Sequence, residues 1–471
     1  MKRKIPTLII TLVVLLSYVL YGCTSPSDPV TEESTGEETT VTESVTDAET
    51  EPEEIPEKME RYFIFRIWNF NERPEAEFKK AVDTALEAGF TAIKVHMPWH
   101  RIETADGSVD FSELDRMLDY VINVKGVKAA VSIDFARRYG DGMLSDDELQ
   151  RSINGQLCVG NIYYDRAVLS FCSQTATDKA VSFYGRAVEH INEKFGNSII
   201  LYLPAFTQYC ETEYWCTDQF DYSDNAINAF RTSLSEKFGD VSALNEATGK
   251  KFASFDEVEA PACSAHDALG VLWYNFRHNA LKSFIDRLAA AQKKAAPNSK
   301  IALQLGSVFD NASYLRCTLR FADLCENADV VWFDDAPLYD HKFSMDYVRS
   351  SLPDGVIIAQ EIDGPRQYNA SPEAYLDQGL TSFAYGATIV SAANWEIDEY
   401  FDNYRDVWRQ IHDTWFGEEI PETVSLDGAP TQRISLADML KRRDPSGFIT
   451  KYRKALKNAP AVKITVVDDL K

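Results

Sequence analysis

The stretch FTAIKVHMPWHRIETADGSVDFSELDRMLDYVINVKGVKAAVSIDF, Phe90 to Phe135, decides the fold. Its two ends, FTAIKVHMPW and VKAAVSIDF, are short apolar runs that read as buried strands. Between them FSELDRMLDYVINV reads as an amphipathic helix. Two continuous apolar strands joined by a helix belong to a parallel sheet covered by helices.

The same alternation runs on in both directions. Upstream, YFIFRIW is a strand, and PEAEFKKAVDTALEAGF is a helix with Phe78, Val82, Ala85 and Leu86 on one face and Gly89 just past its end. Downstream come the helix KAVSFYGRAVEHINEKFG, the strand SIILYLPAF and, after a long insertion, the long helix DALGVLWYNFRHNALKSFIDRLAAAQKKA. KIALQLGSV, ADVVWFD, GVIIAQEIDG and ATIVSAANWE complete the set. The expected strands lie at about 62–68, 91–97, 127–134, 199–206, 300–306, 329–334, 356–361 and 388–395. Eight such units make an α/β fold, a closed (β/α)8 TIM barrel with insertions after strands 3 and 4. No Gly-rich phosphate loop follows the first strand, which weighs against a nucleotide-binding sheet.

The two ends of the chain differ from this body. MKRK, then the apolar IPTLIITLVVLLSYVL, then Leu20–Cys23 (LYGC) read as a secretion signal over residues 1–22. The Leu-x-Gly-Cys pattern resembles a bacterial lipobox, and that resemblance implies a lipid on Cys23. Residues 23–60 carry thirteen acidic side chains against one lysine and no aromatic residue. Such a segment buries too little to fold and reads as an acidic Thr/Glu-rich tether. Together these features predict a body, residues 61–415, held at the outer face of a bacterial cytoplasmic membrane. Residues 416–471 break the pattern and are expected to form a small C-terminal extension of helices, with an edge strand at VKITVVDDL.

Composition narrows the partners. The formal net charge is −25, which argues against nucleic acid or anionic lipid and suits a neutral ligand such as a carbohydrate. Aromatic residues make up 12% of the chain, enough to supply flat faces for sugar rings or simply to fill a large core. Seven cysteines follow Cys23, an odd number, with no zinc or redox spacing; Cys158/Cys172 and Cys210/Cys216 are the candidate local bridges. The histidines lie at no ligand spacing, so neither a metal nor another cofactor is expected.

In a (β/α)8 barrel the catalytic groups sit at the C-terminal ends of the strands, and polar residues gather there. They are Arg66, Trp68 and Asn69; His96 and Trp99; Asp134 and Arg137; Glu211, Glu213 and Tyr214; Gln304; Asp334; Glu361; and Trp395 and Glu396. Cleaving a glycosidic bond takes two carboxyl groups, one protonated to assist the leaving oxygen and one ionised. Glu361 ends the apolar strand VIIAQEIDG, where burying a carboxylate is otherwise costly. Glu211 and Glu213 follow the fourth strand in YCETEYW, and residues two apart on a strand share a face. Crowding two carboxylates raises the pKa of one, as an acid at neutral pH requires. Trp68, Trp99 and Trp395 are candidate sugar platforms, Trp395 foremost. Arg66, His96 and Arg137 either bind hydroxyls and orient Glu361 or form structural ion pairs.

Three segments resemble a known family. PWHRIETADGSVDFSELDRMLDYV looks like the stretch after the second strand in clan A barrel glycosidases. YWCTDQFDYSDNAINAFRTSLSEKFGDVSALNEATGKKFASFDEVEAP is similar to family 42 β-galactosidases just after their catalytic acid. AQEIDGPRQYNASPEAYLDQGLTSFAYGATIVSAANWE resembles that family's nucleophile strand through to its eighth strand. The resemblance covers most of residues 61–415. It implies a retaining glycosidase acting on a β-linked, galactosyl-type oligosaccharide, with Glu361 as nucleophile. One departure stands out. The family's acid follows an Asn that holds the sugar 2-hydroxyl, and here Thr212 precedes Glu213 while Cys210 precedes Glu211. Glu213 fits the family's spacing to Phe230, whereas Glu211 lies nearer the strand end, with a Glu-x-x-Tyr pattern like that of β-amylase-like barrels. The missing Asn also supports a rival reading, a carbohydrate-binding lipoprotein on the same barrel with weakened catalysis. A two-lobed solute-binding lipoprotein is a third, disfavoured by the count of eight units.

Overall fold

The computed structural model describes residues 60–67, 74–160, 166–207, 210–335, 339–362, 371–393 and 397–470. Residues 1–59, which hold Cys23 and all but the last residue of the tether, lie outside the described residues, as do Trp68, Asn69, Trp395 and Glu396.

Eight strands form one parallel sheet: β1 (Tyr62–Arg66), β2 (Ala92–Pro98), β3 (Lys128–Asp134), β4 (Ile199–Ala205), β5 (Ala302–Leu305), β6 (Val330–Asp335), β7 (Ile357–Ile362) and β8 (Ile389–Ala393). They pair in the order β4-β3-β2-β1-β8-β7-β6-β5. The two outer strands meet through a parallel bridge between Tyr202 and Ile301, where the Tyr202 N–H donates to the Lys300 carbonyl at 2.9 Å. The ring so made is the (β/α)8 barrel, with every strand within two residues of its expected place.

Helices cover the outside: α1 (Glu75–Glu87), α2 (Ser112–Asp119), α3 (Gln174–Phe195), α4 (Asp224–Phe238), α5 (Ala268–Ala295), α6 (His341–Ser351), α7 (Pro372–Ala384) and α8 (Ile397–Phe416). Short polar side chains start several of them. Ser173, Asp267 and Ser371 accept from the backbone N–H of Ala176, Gly270 and Ala374, which removes an orphan donor at each N-terminus. α4 belongs to the insertion after β4, and the segment between β3 and α3 makes the other insertion.

Period-two alternation sorts the strand residues. Phe63, Phe65, Val95, Val131, Leu303 and Phe333 face the helices and join the main core. Ile64, Ala92, Ala130, Leu203, Ala302 and Trp332 face inward and form a separate cluster inside the barrel. Above that apolar layer, toward the strands' C-terminal ends, the inward residues turn polar: Arg66, Lys94, Asp134, Gln304, Glu361 and Ser391, all buried.

The seam between β4 and β5 has its own device. Pro204 brings no N–H to the ladder, and the chain loops away after Ala205. It returns at Thr212, whose N–H donates to the Gln304 carbonyl at 2.5 Å. The Thr212 hydroxyl donates to the Pro204 carbonyl at 2.7 Å and accepts from the Gln304 N–H at 3.1 Å. One side chain thus stands in for a missing rung.

The C-terminal segment forms the expected helices and a strand at VKITVVDDL, but that strand does not edge the barrel. Its two helices, α9 (Leu436–Arg442) and α10 (Ser446–Leu456), are joined by two parallel strands, β9 (Thr431–Ser435) and β10 (Lys463–Val467), that pair with each other rather than with the barrel. Its anchor is Asp346 of α6, whose carboxylate accepts from the Tyr452 hydroxyl at 2.7 Å and the Val462 N–H at 2.8 Å.

Among the described residues no helix is long and apolar enough to cross a membrane. The seven cysteines after Cys23 are all free thiols, so neither candidate local bridge forms. Cys210 turns its sulfur instead into a buried polar cluster at the barrel mouth.

Candidate active site

Glu361 sits on β7 level with Asp334 of β6 and Ser391 of β8. Its carboxylate is nearly fully buried, and Arg66 of β1 forms an ion pair with Oε1. Oε2 accepts from the Gln304 Nε2 at 3.4 Å and the Ser391 hydroxyl at 3.3 Å. A buried carboxylate is tolerable only when paired and hydrogen-bonded, and here three other strands, β1, β5 and β8, supply the partners.

Glu211 lies after the loop that follows β4. It keeps a small exposed surface, 9%, against 2% for Glu213. Its carboxylate accepts from the Thr207 hydroxyl, and Cys210, immediately before it, holds a left-handed backbone conformation with φ 74°. Burial pushes the Glu211 pKa up, against the opposing pull of the Thr207 hydroxyl and of Arg316 and Arg66. Arg66 and Lys94 each feel the charges of both Glu361 and Glu211, so the two carboxylates share one electrostatic neighbourhood.

Glu213 is engaged elsewhere. Its Oε2 accepts the Gly306 N–H at 2.9 Å and its Oε1 lies 2.9 Å from the Arg316 Nε. Arg316 continues to Asp310 at 2.7 Å. Gly306 permits this arrangement, because a Cβ there would stand 2.8 Å from the Arg316 guanidinium. Burial holds the Glu213 carboxyl well above its usual range even with Arg316 beside it.

A third cluster surrounds Asp134 at the end of β3. Arg166, from the insertion after β3, pairs with it at 2.5 Å, and His96 Nε2 lies 3.4 Å away. The Cys210 sulfur is 3.5 Å from His96 Nε2 and 3.6 Å from Arg166 Nη1. Burial lowers the His96 pKa to about 4 and raises the Cys210 thiol to about 12. His96, Asp134 and Cys210 place three donor atoms within 4.8 Å of one another. The cation among them is the Arg166 guanidinium, which reaches all three.

The structure thus brings together Arg66, His96, Asp134, Gln304, Asp334, Glu361 and Glu211 of the expected residues, all at one end of the barrel. Three others it directs elsewhere. Trp99 is fully buried, stacked on Phe183 of α3 at 5.3 Å, with its Nε1 donating to Glu103 at 2.7 Å. It begins the short helix Trp99–Ile102 just past β2, packs into the core between barrel and helices, and offers no open platform. Arg137 lies over the Trp99 ring and binds Asp141 at 2.8 Å, bracing the insertion. Tyr214 packs under Arg277 of α5 and donates to that residue's carbonyl at 3.2 Å. Conversely, Lys94, Ser132, Arg166, Thr207 and Ser391 join the site without having been singled out. Lys94 had a legible signal, a cation in the middle of an apolar strand at inward parity.

Residues 169–376 match the family model of glycoside hydrolase family 42, described as beta-galactosidase. Glu211, Glu213 and Glu361 all fall inside that match. The beta-galactosidase Bga of Halorubrum lacusprofundi is 24% identical over 306 residues, 61% of this chain and 41% of that protein. Beta-galactosidase BbgII of Bifidobacterium bifidum is 25% identical over 195 residues, 40% of this chain and 26% of that one. The chain therefore spans less than half the length of these curated relatives. Among solved structures, the beta-galactosidase of the psychrophilic Marinomonas ef1 superposes with a TM-score of 0.66 at 15% identity, over 87% of this chain and 70% of that one. The catalytic domain of beta-amylase from Paenibacillus polymyxa gives 0.59 at 16% identity, over 73% of this chain and 98% of that domain. At such identities the likeness to solved structures is one of fold. Together the matches support a glycoside hydrolase.

Proposed function

We propose that the chain is a retaining glycoside hydrolase acting on a β-linked, galactosyl-type oligosaccharide, with Glu361 as nucleophile and Glu211 as acid/base. The observation that carries this reading is the unequal treatment of carboxylates in one polar mouth. Glu361 is braced by Arg66 and held in place by Gln304 and Ser391. Glu211 keeps residual exposure and a raised pKa from burial. An ion-paired carboxyl group to attack and a second carboxyl whose pKa burial raises are the two parts the reaction needs. Glu213 suits the acid role less well, because Gly306 and Arg316 occupy both its oxygens.

In the first step Glu211 gives its proton to the glycosidic oxygen as the bond to the anomeric carbon breaks, and Glu361 Oε attacks that carbon to form a glycosyl ester. In the second, the Glu211 carboxylate takes a proton from water, the water oxygen attacks the same carbon, and Glu361 leaves as carboxylate. Both residues return to their starting states. The retaining outcome rests on the family resemblance. Proton NMR of the first-released sugar tests it: retention gives the β anomer first, whereas the α anomer would mean a single displacement by water.

We also propose that the enzyme works outside the cytoplasm, held by a lipid on Cys23. Metabolic labelling with a fatty acid tests this: label on the wild type that is lost in Cys23→Ser supports the anchor, and equal label in both, or none, contradicts it.

A further inference from the structure

Lys94 stands in the middle of β2, inside the barrel and fully buried, and the mechanism above gives it no part. Its Nζ donates to the Oε1 of Gln304 at 2.5 Å and lies 4.3 Å from the centre of the Trp332 ring. Gln304 in turn offers Nε2 to Glu361 Oε2 at 3.4 Å. A relay therefore runs from Lys94 through Gln304 to Glu361, beside the direct Arg66 pair.

The relay has a directional logic. A glutamine amide has one accepting end and one donating end, of nearly equal shape. A lysine ammonium only donates, so it captures the oxygen and leaves the NH2 facing the carboxylate. The reverse orientation would set the amide oxygen against the Glu361 oxygen and the NH2 against the ammonium, repulsive at both ends. The main chain of Gln304 is already fixed by its two bonds to Thr212, so only the side chain has freedom to lose. The Trp332 ring face holds the ammonium in turn.

Keeping a cation here is expensive. Burial, with the nearby Arg66 adding to it, lowers the Lys94 pKa to about 7, against the opposing pull of Glu361, Cys210 and Glu211. An apolar side chain of the same volume would escape that penalty. We propose that Lys94 is a positioning residue for Glu361, acting through Gln304 by fixing which end of the amide meets the carboxylate. The proposal rests on Glu361 being the nucleophile.

A double-mutant cycle on the full-length protein tests it, using Lys94→Met and Gln304→Ala and two readouts. One is kcat and KM on an aryl galactoside. The other is the titration of the Glu361 carboxyl carbon by 13C NMR, assigned by its loss in Glu361→Gln. Lys94→Met is expected to lower kcat roughly tenfold to a hundredfold, as small misplacements of reacting groups do, with KM nearly unchanged and the Glu361 titration moved to higher pH. In the Gln304→Ala background the same change is expected to cost less than about threefold. Losses and titration shifts that combine in full would overturn the proposal, as would a Lys94→Met protein with wild-type kcat and titration. If Lys94→Met does not fold, Lys94→Gln keeps a donor for the Gln304 oxygen without the charge. It should stay within about fivefold of wild type, and a hundredfold loss would count against amide orientation as the cause. If the wild type cleaves no glycoside, the functional reading fails, while the NMR cycle still decides whether Lys94 reaches Glu361 through Gln304.

Discussion

Arg66 and Glu361 form a buried ion pair across 295 residues of sequence, joining the first barrel strand to the seventh. Breaking one half of such a pair leaves an uncompensated charge, which typically costs about 3–5 kcal/mol. Arg66→Met should therefore lose about that much stability in urea unfolding. Arg66→Met combined with Glu361→Gln should recover part of it, because no lone charge remains.

The two glutamates after β4 should separate by function. A general acid contributes about 10²–10⁴-fold, so Glu211→Gln should lower kcat on poorly activated glycosides by that factor. It should matter far less for substrates whose leaving group needs no proton. Glu213→Gln should act mainly on the melting temperature, since Glu213 ties Arg316 and the Gly306 N–H to the β5 loop. Steady-state kinetics beside thermal melts on both variants would check the split.

The pH dependence follows from the same burial. Glu211 and Glu213 have folded pKa values above their unfolded ones. The folded state then holds more protons than the unfolded state above the ordinary glutamate range, and stability falls as pH rises from there through the raised values. Wild-type unfolding free energy should decline over that window, and Glu211→Gln and Glu213→Gln should each flatten the decline. The proposed mechanism needs the Glu211 proton, so it predicts that kcat/KM falls on the alkaline side and that this limb vanishes in Glu211→Gln.

Trp99 and Asp346 carry structural weight. Trp99→Ala removes a fully buried ring and should cost about 3–5 kcal/mol, with KM unchanged in the protein that still folds. Asp346→Ala leaves the Tyr452 hydroxyl and the Val462 N–H without their acceptor, at about 1–3 kcal/mol each. It should make residues beyond Phe416 the first site of proteolysis, read by mass spectrometry of early fragments.

The barrel was legible because parallel strands buried on both faces read as apolar runs, and helices with glycine or proline punctuation separate them. Glu361 and Arg66 were legible as charged residues at the ends of such runs. Trp99 reads as a mouth residue because it follows the strand end directly, but a helical turn, Trp99–Ile102, starts there and carries its ring onto Phe183. The direction of Tyr214 was not legible either, because the loop from Phe206 to Glu211 breaks the count in twos along the strand. The partnerships of Arg166 and Lys94 were hidden for a different reason, although the inward parity of Lys94 was itself legible. Their partners Asp134 and Gln304 are distant in sequence, and a lone cation in an insertion or mid-strand does not name the carboxylate or amide it will meet. The strand TQRIS at Thr431–Ser435 was missed because it pairs at an exposed edge, where alternate residues are polar.

Hydrolysis of a panel of aryl glycosides, galactosides first, by the wild type and by Glu361→Gln, Glu211→Gln and Glu213→Gln bears most directly on the central claim. The account predicts turnover of at least one β-galactoside, its loss in Glu361→Gln, a deep fall in Glu211→Gln and near-wild-type rates in folded Glu213→Gln. Wild-type turnover that survives Glu361→Gln, or no turnover of any glycoside beside measurable sugar binding, would contradict it.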